Sequence, residues 1–184
     1  MGRRATMTVA ALAGVLLMAS GCESTKGGTA TPSTGAADTS AATAALWNPC
    51  TQIPDQTLQK AGVVPSTKKS GVAGVEEPGW KICAWNSAPS LWDYTVTVYS
   101  TIHNVDDYKM KKENIDFVGI KVQGRDGFRF HTTNDKDDED CDLIFPAAQG
   151  ALQISVFKAS ANKPVVACDR AMAAADTLVP LFPR

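Results

Sequence analysis

Trp80-Lys81-Ile82-Cys83-Ala84-Trp85 and Tyr94-Thr95-Val96-Thr97-Val98-Tyr99-Ser100-Thr101 carry the clearest structural signal in the chain. In the second stretch Val96, Val98 and Ser100 alternate with Thr95, Thr97 and Tyr99, the period of two that sends successive side chains to opposite faces of a strand. In the first, Trp80, Ile82 and Ala84 fall on one face. A turn-forming run, Asn86 to Ser90, separates the two, so they are expected to pair as an antiparallel hairpin.

Working outward, Pro65 to Gly79 is rich in Gly and Pro and holds the adjacent acids Glu76 and Glu77, which predicts a loop. Before it, Pro54-Asp55 starts a short helix with Leu58 and Ala61 on one face, and Gly62 is a natural stop. After the hairpin, Asn104 can cap a helix from Val105 to about Glu113, with Asp106 and Asp107 near its positive end. Val118 to Gln123 and Phe128 to Thr133 read as strands around Gly124-Arg125-Asp126-Gly127. Cys141 to Phe145 and Ala151 to Phe157 read as a further hairpin across Pro146 to Gly150. The Ala-rich run Cys168 to Leu178 reads as a helix ended by Pro180 and Pro183. The order is helix, two strands, helix, four strands, helix. Consecutive strands argue for an α+β domain, a mainly antiparallel sheet with helices packed on it.

Upstream, the sequence describes an address. Arg3 and Arg4 precede an apolar run from Met7 to Met18, then Ala19, Ser20, Gly21 and Cys22. A positive start, a short apolar segment and small residues before a cut site make residues 1–21 a secretory signal peptide. The run is too short to span a membrane, which takes about 20 apolar residues. Ser20-Gly21-Cys22 is similar to a lipobox, so Cys22 is the expected lipidation site, carrying diacylglycerol and palmitate-type chains. The chain would then be held at the cell membrane on its extracytoplasmic face, since two acyl chains make a stable anchor. Glu23 to Ala45 holds only Ala, Thr, Ser, Gly, Pro, Asp, Glu and Lys. Nothing there can offset the entropy of ordering it, so 22–45 is read as a lipidated cysteine plus a flexible tether with a mean reach of about 25–30 Å. Its Thr and Ser residues are candidate O-glycosylation sites. The folded domain is 46–184, a normal size for one domain.

The full chain has 18 basic and 19 acidic residues, and loss of Arg3 and Arg4 leaves the mature chain at −3. No basic patch marks a nucleic-acid partner. Beyond Cys22 the cysteines are Cys50, Cys83, Cys141 and Cys168. An even number in an exported domain points to two disulfides. With no CxxC pair and only His103 and His131, zinc-ligand spacing is absent. Three connectivities are open. Cys50–Cys83 with Cys141–Cys168 is favoured because each closes a moderate loop in its own half.

Three groups are candidates for chemistry. The acidic run Asp135-Lys136-Asp137-Asp138-Glu139-Asp140, with Asp142, offers oxygen ligands suited to Ca²⁺, but it breaks the EF-hand pattern where Gly is required and reads as a solvated loop. His103 and His131 could converge, yet no GxSxG elbow, HExxH or free thiol accompanies them, so no catalytic residue is assigned. All four tryptophans lie between Trp47 and Trp92, with Tyr94 and Tyr99 following. They could line a pocket for an apolar or sugar ligand, or Trp80 and Trp85 could pack as core around the Cys83 disulfide. Gly71 and Gly74 lack the strand-before, helix-after setting of a phosphate loop, so no cofactor is expected.

Leu46-Trp47-Asn48-Pro49-Cys50 and Pro78-Gly79-Trp80-Lys81-Ile82-Cys83-Ala84-Trp85 resemble the first half of small actinobacterial lipoproteins of the Lpr type, known from mycobacteria and nocardiae. Cys141-Asp142-Leu143-Ile144-Phe145-Pro146 and the Cys168 helix ending Leu181-Phe182-Pro183 resemble their second half. These proteins are built on a domain of unknown function. The resemblance implies an envelope address, two disulfides and a single domain, and it brings no catalytic residues. Taken together, the expectation is a non-catalytic envelope module whose partner is a protein, glycan or lipid. The alternatives are a structural subunit of an envelope complex and a cell-wall hydrolase using His103 or His131.

Overall fold

The computed structural model describes residues 34–135, 138–160 and 162–184. The expected signal peptide, Cys22 and the first half of the expected tether lie outside the described residues, as do Lys136 and Asp137 of the acidic run. Among the described residues no helix is long and apolar enough to cross a membrane.

The alternating stretches form the strands they predict. The helices are α1 (Thr34–Ala45), α2 (Pro49–Gln52), α3 (Asp55–Lys60), α4 (Val105–Met110) and α5 (Ala167–Leu178). The strands are β1 (Lys69–Ser70), β2 (Trp80–Asn86), β3 (Tyr94–Thr101), β4 (Asn114–Val122), β5 (Arg125–Thr132), β6 (Asp140–Ala147) and β7 (Gly150–Lys158). They build one seven-stranded sheet in the order β1-β2-β3-β7-β6-β5-β4, with every neighbouring pair antiparallel. After the β2–β3 hairpin the chain crosses by α4 to the far edge and meanders back, so that β7 lands beside β3. The α+β expectation holds, and both expected disulfides are present, Cys50–Cys83 and Cys141–Cys168. Their loops of 33 and 27 residues would each stabilise by roughly 3–4 kcal/mol on the chain-entropy model.

Register sorts the side chains. Cys83 lies opposite Val98, Trp85 opposite Val96, Val96 opposite Val156, and Cys141 opposite Val156, so these residues share one face. α2, α3 and α5 cover that face, burying Leu58, Ala171, Ala174, Ala175 and Leu178 with it in the main core. Trp80, Tyr99, Phe130 and Ile144 point the other way, where α4 contributes Val105 and Tyr108 to a smaller core. Trp85 therefore packs in the core near the Cys50–Cys83 bridge as expected, whereas Trp80 belongs to the opposite face.

Several expectations need correction. The segment read as a structureless tether is helical over Thr34–Ala45. Half of those residues are Ala, the strongest helix former, and Gly79 N donates to Thr43 Oγ1 at 2.7 Å, tying the helix to the domain. α4 stops at Met110 rather than near Glu113, because Lys111 is already extended and leads into β4. β4 begins at Asn114 rather than Val118; a bulge between Ile115 and Val118, with Asp116 at φ 57°, breaks the alternation that would have revealed it. The β4–β5 turn is Gln123-Gly124, both at positive φ as a two-residue hairpin turn requires. Asp126 and Gly127 lie in β5 instead. The predicted loop Pro65 to Gly79 contains a 3₁₀ turn and β1, which pairs with β2.

Candidate functional site

The chain enters and leaves the domain at one pole of the sheet, and a cleft opens there. Leu46 and Trp47 follow α1, Gln52 ends α2, Ser100 and Thr101 end β3, Ala147 to Gln149 turn from β6 into β7, and Pro183 and Arg184 close the chain. Together they line a cavity of about 410 Å³. Trp47 is held edge-on against Phe182, ring centroids 5.4 Å apart. The tail is fixed by Arg125. Its Nη1 donates to the Phe182 carbonyl (3.1 Å), and its Nη2 donates to those of Pro183 (2.8 Å) and Pro146 (2.5 Å). Ser100 is 3% exposed and Thr101 1%, so both meet the cleft from an ordered floor. Thr101 Oγ1 donates to the Gly79 carbonyl at 3.0 Å. The walls thus combine one indole ring with hydroxyl and amide groups and a single guanidinium.

The sequence-singled residues distribute differently. His103 packs on Trp80, centroids 5.4 Å apart, at the face opposite α5. His131 lies where β5 meets the start of α5: its Nδ1 is 3.2 Å from Asp135 Oδ2, and its Nε2 is 4.0 Å from Cys168 Sγ. The two histidines are not brought into one cleft. Nor do the tryptophans converge, since Trp47 lines the cleft, Trp80 and Trp85 occupy opposite faces, and Trp92 is 36% exposed.

The acidic run folds inward. Burial disfavours charge on Asp135, but the backbone N–H groups of Glu139 (2.7 Å) and Asp140 (3.4 Å), together with His131, outweigh it and hold the carboxyl below its ordinary range. Asp140 is pushed up to about 6 by burial and by repulsion from Asp142 and Asp135. Asp142 is 4% exposed and also raised, by burial above all, although Gln153 Nε2 donates to it at 2.7 Å and Ser155 also bonds it. Nearby, burial followed by Asp142 pushes the Tyr99 hydroxyl up to about 12. Burial raises Tyr108 further, with Tyr99 and Asp142 adding to it. Ligand atoms of His131, Asp135 and Asp140 lie within 4.8 Å of one another, close enough to share a cation. However, both oxygens of Asp135 already accept N–H groups, and Asp142 is engaged by Gln153 and Ser155. The group is organised as an internal hydrogen-bond network, not as the open oxygen shell that Ca²⁺ needs.

The family model described as Protein of unknown function (DUF3558) matches residues 17–181. The chain belongs to that family. No curated protein and no solved structure matches it. In this DUF3558 chain the match runs from before Cys22 through α1 and the whole sheet to the 3₁₀ turn after α5. It therefore includes most of the polar cleft. Sequence reasoning missed that cleft because its walls come from five separate segments. The one available signal was the apolar and aromatic residues at both domain termini, Leu46-Trp47 and Leu181-Phe182, which had to pack somewhere and pack together.

Proposed function

We propose that this DUF3558 protein is an exported lipoprotein of the actinobacterial Lpr type, cleaved before Cys22 and held by acyl chains on the extracytoplasmic face of the cell membrane. Its domain acts there as a non-catalytic binding module. The observation that carries the binding role is the cleft of about 410 Å³ beside the C-terminal end of α1. That volume lies within the range of about 300–1,000 Å³ common for small-ligand sites. An indole wall with hydroxyl and amide groups around it suits a sugar, whose apolar ring face stacks while its hydroxyls hydrogen-bond. The disulfides and the lipobox-like Ser20-Gly21-Cys22 agree with an oxidising, extracytoplasmic compartment.

The test has two arms. Intact-mass analysis of protein taken from its native membrane should find an N-terminus at acylated Cys22, and an unmodified Cys22 would sink the address. Titration with soluble cell-wall glycan fragments, followed by tryptophan fluorescence and by nuclear magnetic resonance, should perturb Trp47, Ser100 and Gln149. The Trp47→Ala variant should abolish the effect. Equal binding by wild type and variant would remove the cleft from consideration.

A further inference from the structure

The two disulfides share a plan but differ in their surroundings. Each joins a strand cysteine with no exposure, Cys83 or Cys141, to a partly exposed cysteine in the first turn of a helix, Cys50 or Cys168. The Ile82 carbonyl lies 3.5 Å from the Cys50 sulfur and would repel a thiolate there. Beside the Cys168 sulfur is His131 Nε2 at 4.0 Å, in an imidazole whose other nitrogen faces the ionised Asp135. Asp135 can only accept, so Nδ1 carries a proton and the ring is oriented with Nε2 toward the sulfur. Cys168 also sits at the second position of a twelve-residue helix that has no side-chain cap at its N-terminus. With Nδ1 protonated, Nε2 presents a lone pair that can take the proton of the Cys168 thiol in the reduced protein, and the imidazolium–thiolate pair so formed is stabilised further by the helix N-terminus. The opposing charges are Asp169, which is exposed and therefore screened, and the carboxyls of Asp135 and Asp140 around the His131 ring.

We infer that Cys141–Cys168 is an exchangeable disulfide, with Cys168 the sulfur that meets external thiols and disulfides, His131 the group that holds its thiolate, and Cys141 the buried resolving partner. An external thiolate attacks Cys168 Sγ. A mixed disulfide forms, the Cys141–Cys168 bond breaks, and the electron pair leaves on Cys141 Sγ, which takes up a proton. A second external thiolate then attacks the mixed disulfide at its external sulfur and releases Cys168 as the thiolate beside His131. The protein disulfide gains two electrons while two thiols become one disulfide. In reverse, the Cys168 thiolate attacks a substrate disulfide and Cys141 resolves the product. Stabilising the reduced form makes the couple more oxidising, and Cys50–Cys83 lacks that stabilisation.

The experiment equilibrates the oxidised full-length chain with glutathione buffers of graded ratio, traps thiols by alkylation, and assigns each pair by peptide mass. Cys141–Cys168 should open at a ratio about tenfold or more milder than Cys50–Cys83, a separation of about 30 mV or more. His131→Gln should close most of that gap while leaving the Cys50–Cys83 midpoint unmoved. Opening of both pairs together, or of Cys50–Cys83 first, overturns the proposal, as does a gap unchanged in His131→Gln. Should that variant fail to fold, the wild type alone decides. In the reduced protein Cys168 should alkylate several-fold faster than Cys50 at mildly acidic pH, and equal rates would overturn the assignment.

Discussion

The carboxyl of Asp140 is the single charge whose replacement tests the electrostatics of the β5–β6 region most directly. Burial, then repulsion from Asp142 and Asp135 and a hydrogen bond with Asp135, raises its pKa from 3.8 to about 6. The native state thus holds this proton more tightly than the unfolded chain does. The contribution to stability is full below the unfolded value and is lost as pH rises from about 4 through about 6. At about 1.4 kcal/mol per pH unit, a fully buried group would lose about 3 kcal/mol. Asp140 is only partly buried, so solvent screening reduces this to about 1–1.5 kcal/mol. Asp140→Asn keeps the shape, and keeps an oxygen to accept from Thr132 Oγ1, which lies 3.4 Å from Oδ2. Urea unfolding of both proteins with chelator present, from about pH 3.5 to about pH 8, should therefore give similar stabilities at the acid end. The variant should become the more stable by about 1–1.5 kcal/mol near neutrality, the discounted linkage value. A difference independent of pH, or a variant less stable than wild type at neutral pH, refutes the reasoning.

Other expectations follow from packing. A Cβ on Gly127 would lie 2.6 Å from the Ile144 carbonyl oxygen and 2.6 Å from Phe145 Cδ1. Gly127→Ala should accordingly cost about 1–3 kcal/mol in denaturant titration. Gly119→Ala on the neighbouring strand, with nothing within 4 Å of its Cβ, should change stability by less than about 0.5 kcal/mol. Arg125→Ala removes the hydrogen bonds that fix the Phe182, Pro183 and Pro146 carbonyls. It should cost about 1–3 kcal/mol and speed hydrogen exchange in the C-terminal tail. Arg125→Lys should recover only part of the loss, since an ammonium has no planar fork to span three acceptors.

How much of this was legible in the sequence depended on whether the deciding contact was local. The alternation in Tyr94–Thr101 located β3 and assigned its faces, because a half-buried strand writes its period directly into the chain. The cap at Asn104 was equally readable, and the structure forms the full reciprocal box with Asp107. β4 was harder, since the one extra residue at its bulge puts Ile115 and Val118 out of step. α1 was illegible in a stronger sense. A run of Ala, Thr and Ser suits a linker and a helix alike, and the deciding bond from Gly79 comes from a distant segment. The cleft was hidden for the same reason. Ser100, Gln149 and Trp47 carry no shared motif and become neighbours only when β7 lands beside β3 and the tail returns under Arg125.

The disulfides show why pairing and behaviour are separate questions. Pairing followed from loop size, because each bridge staples one half of the sheet to a helix on its own side, β2 to α2 and β6 to α5. Behaviour is set by what approaches the exposed sulfur, and that depends on topology. The meander β4-β5-β6 places His131 on the same face as α5, and the turn after β5 brings Asp135 back to orient it. Beside Cys50 the charged contact is Lys68, just before β1, whose Nζ donates to the Cys50 carbonyl at 3.3 Å. That ammonium is bonded to the carbonyl oxygen, whereas His131 Nε2 is 4.0 Å from the Cys168 sulfur itself. The same cysteine plan, repeated on two halves of one sheet, thus supplies a structural staple at one end and the chemical conditions for thiol exchange at the other.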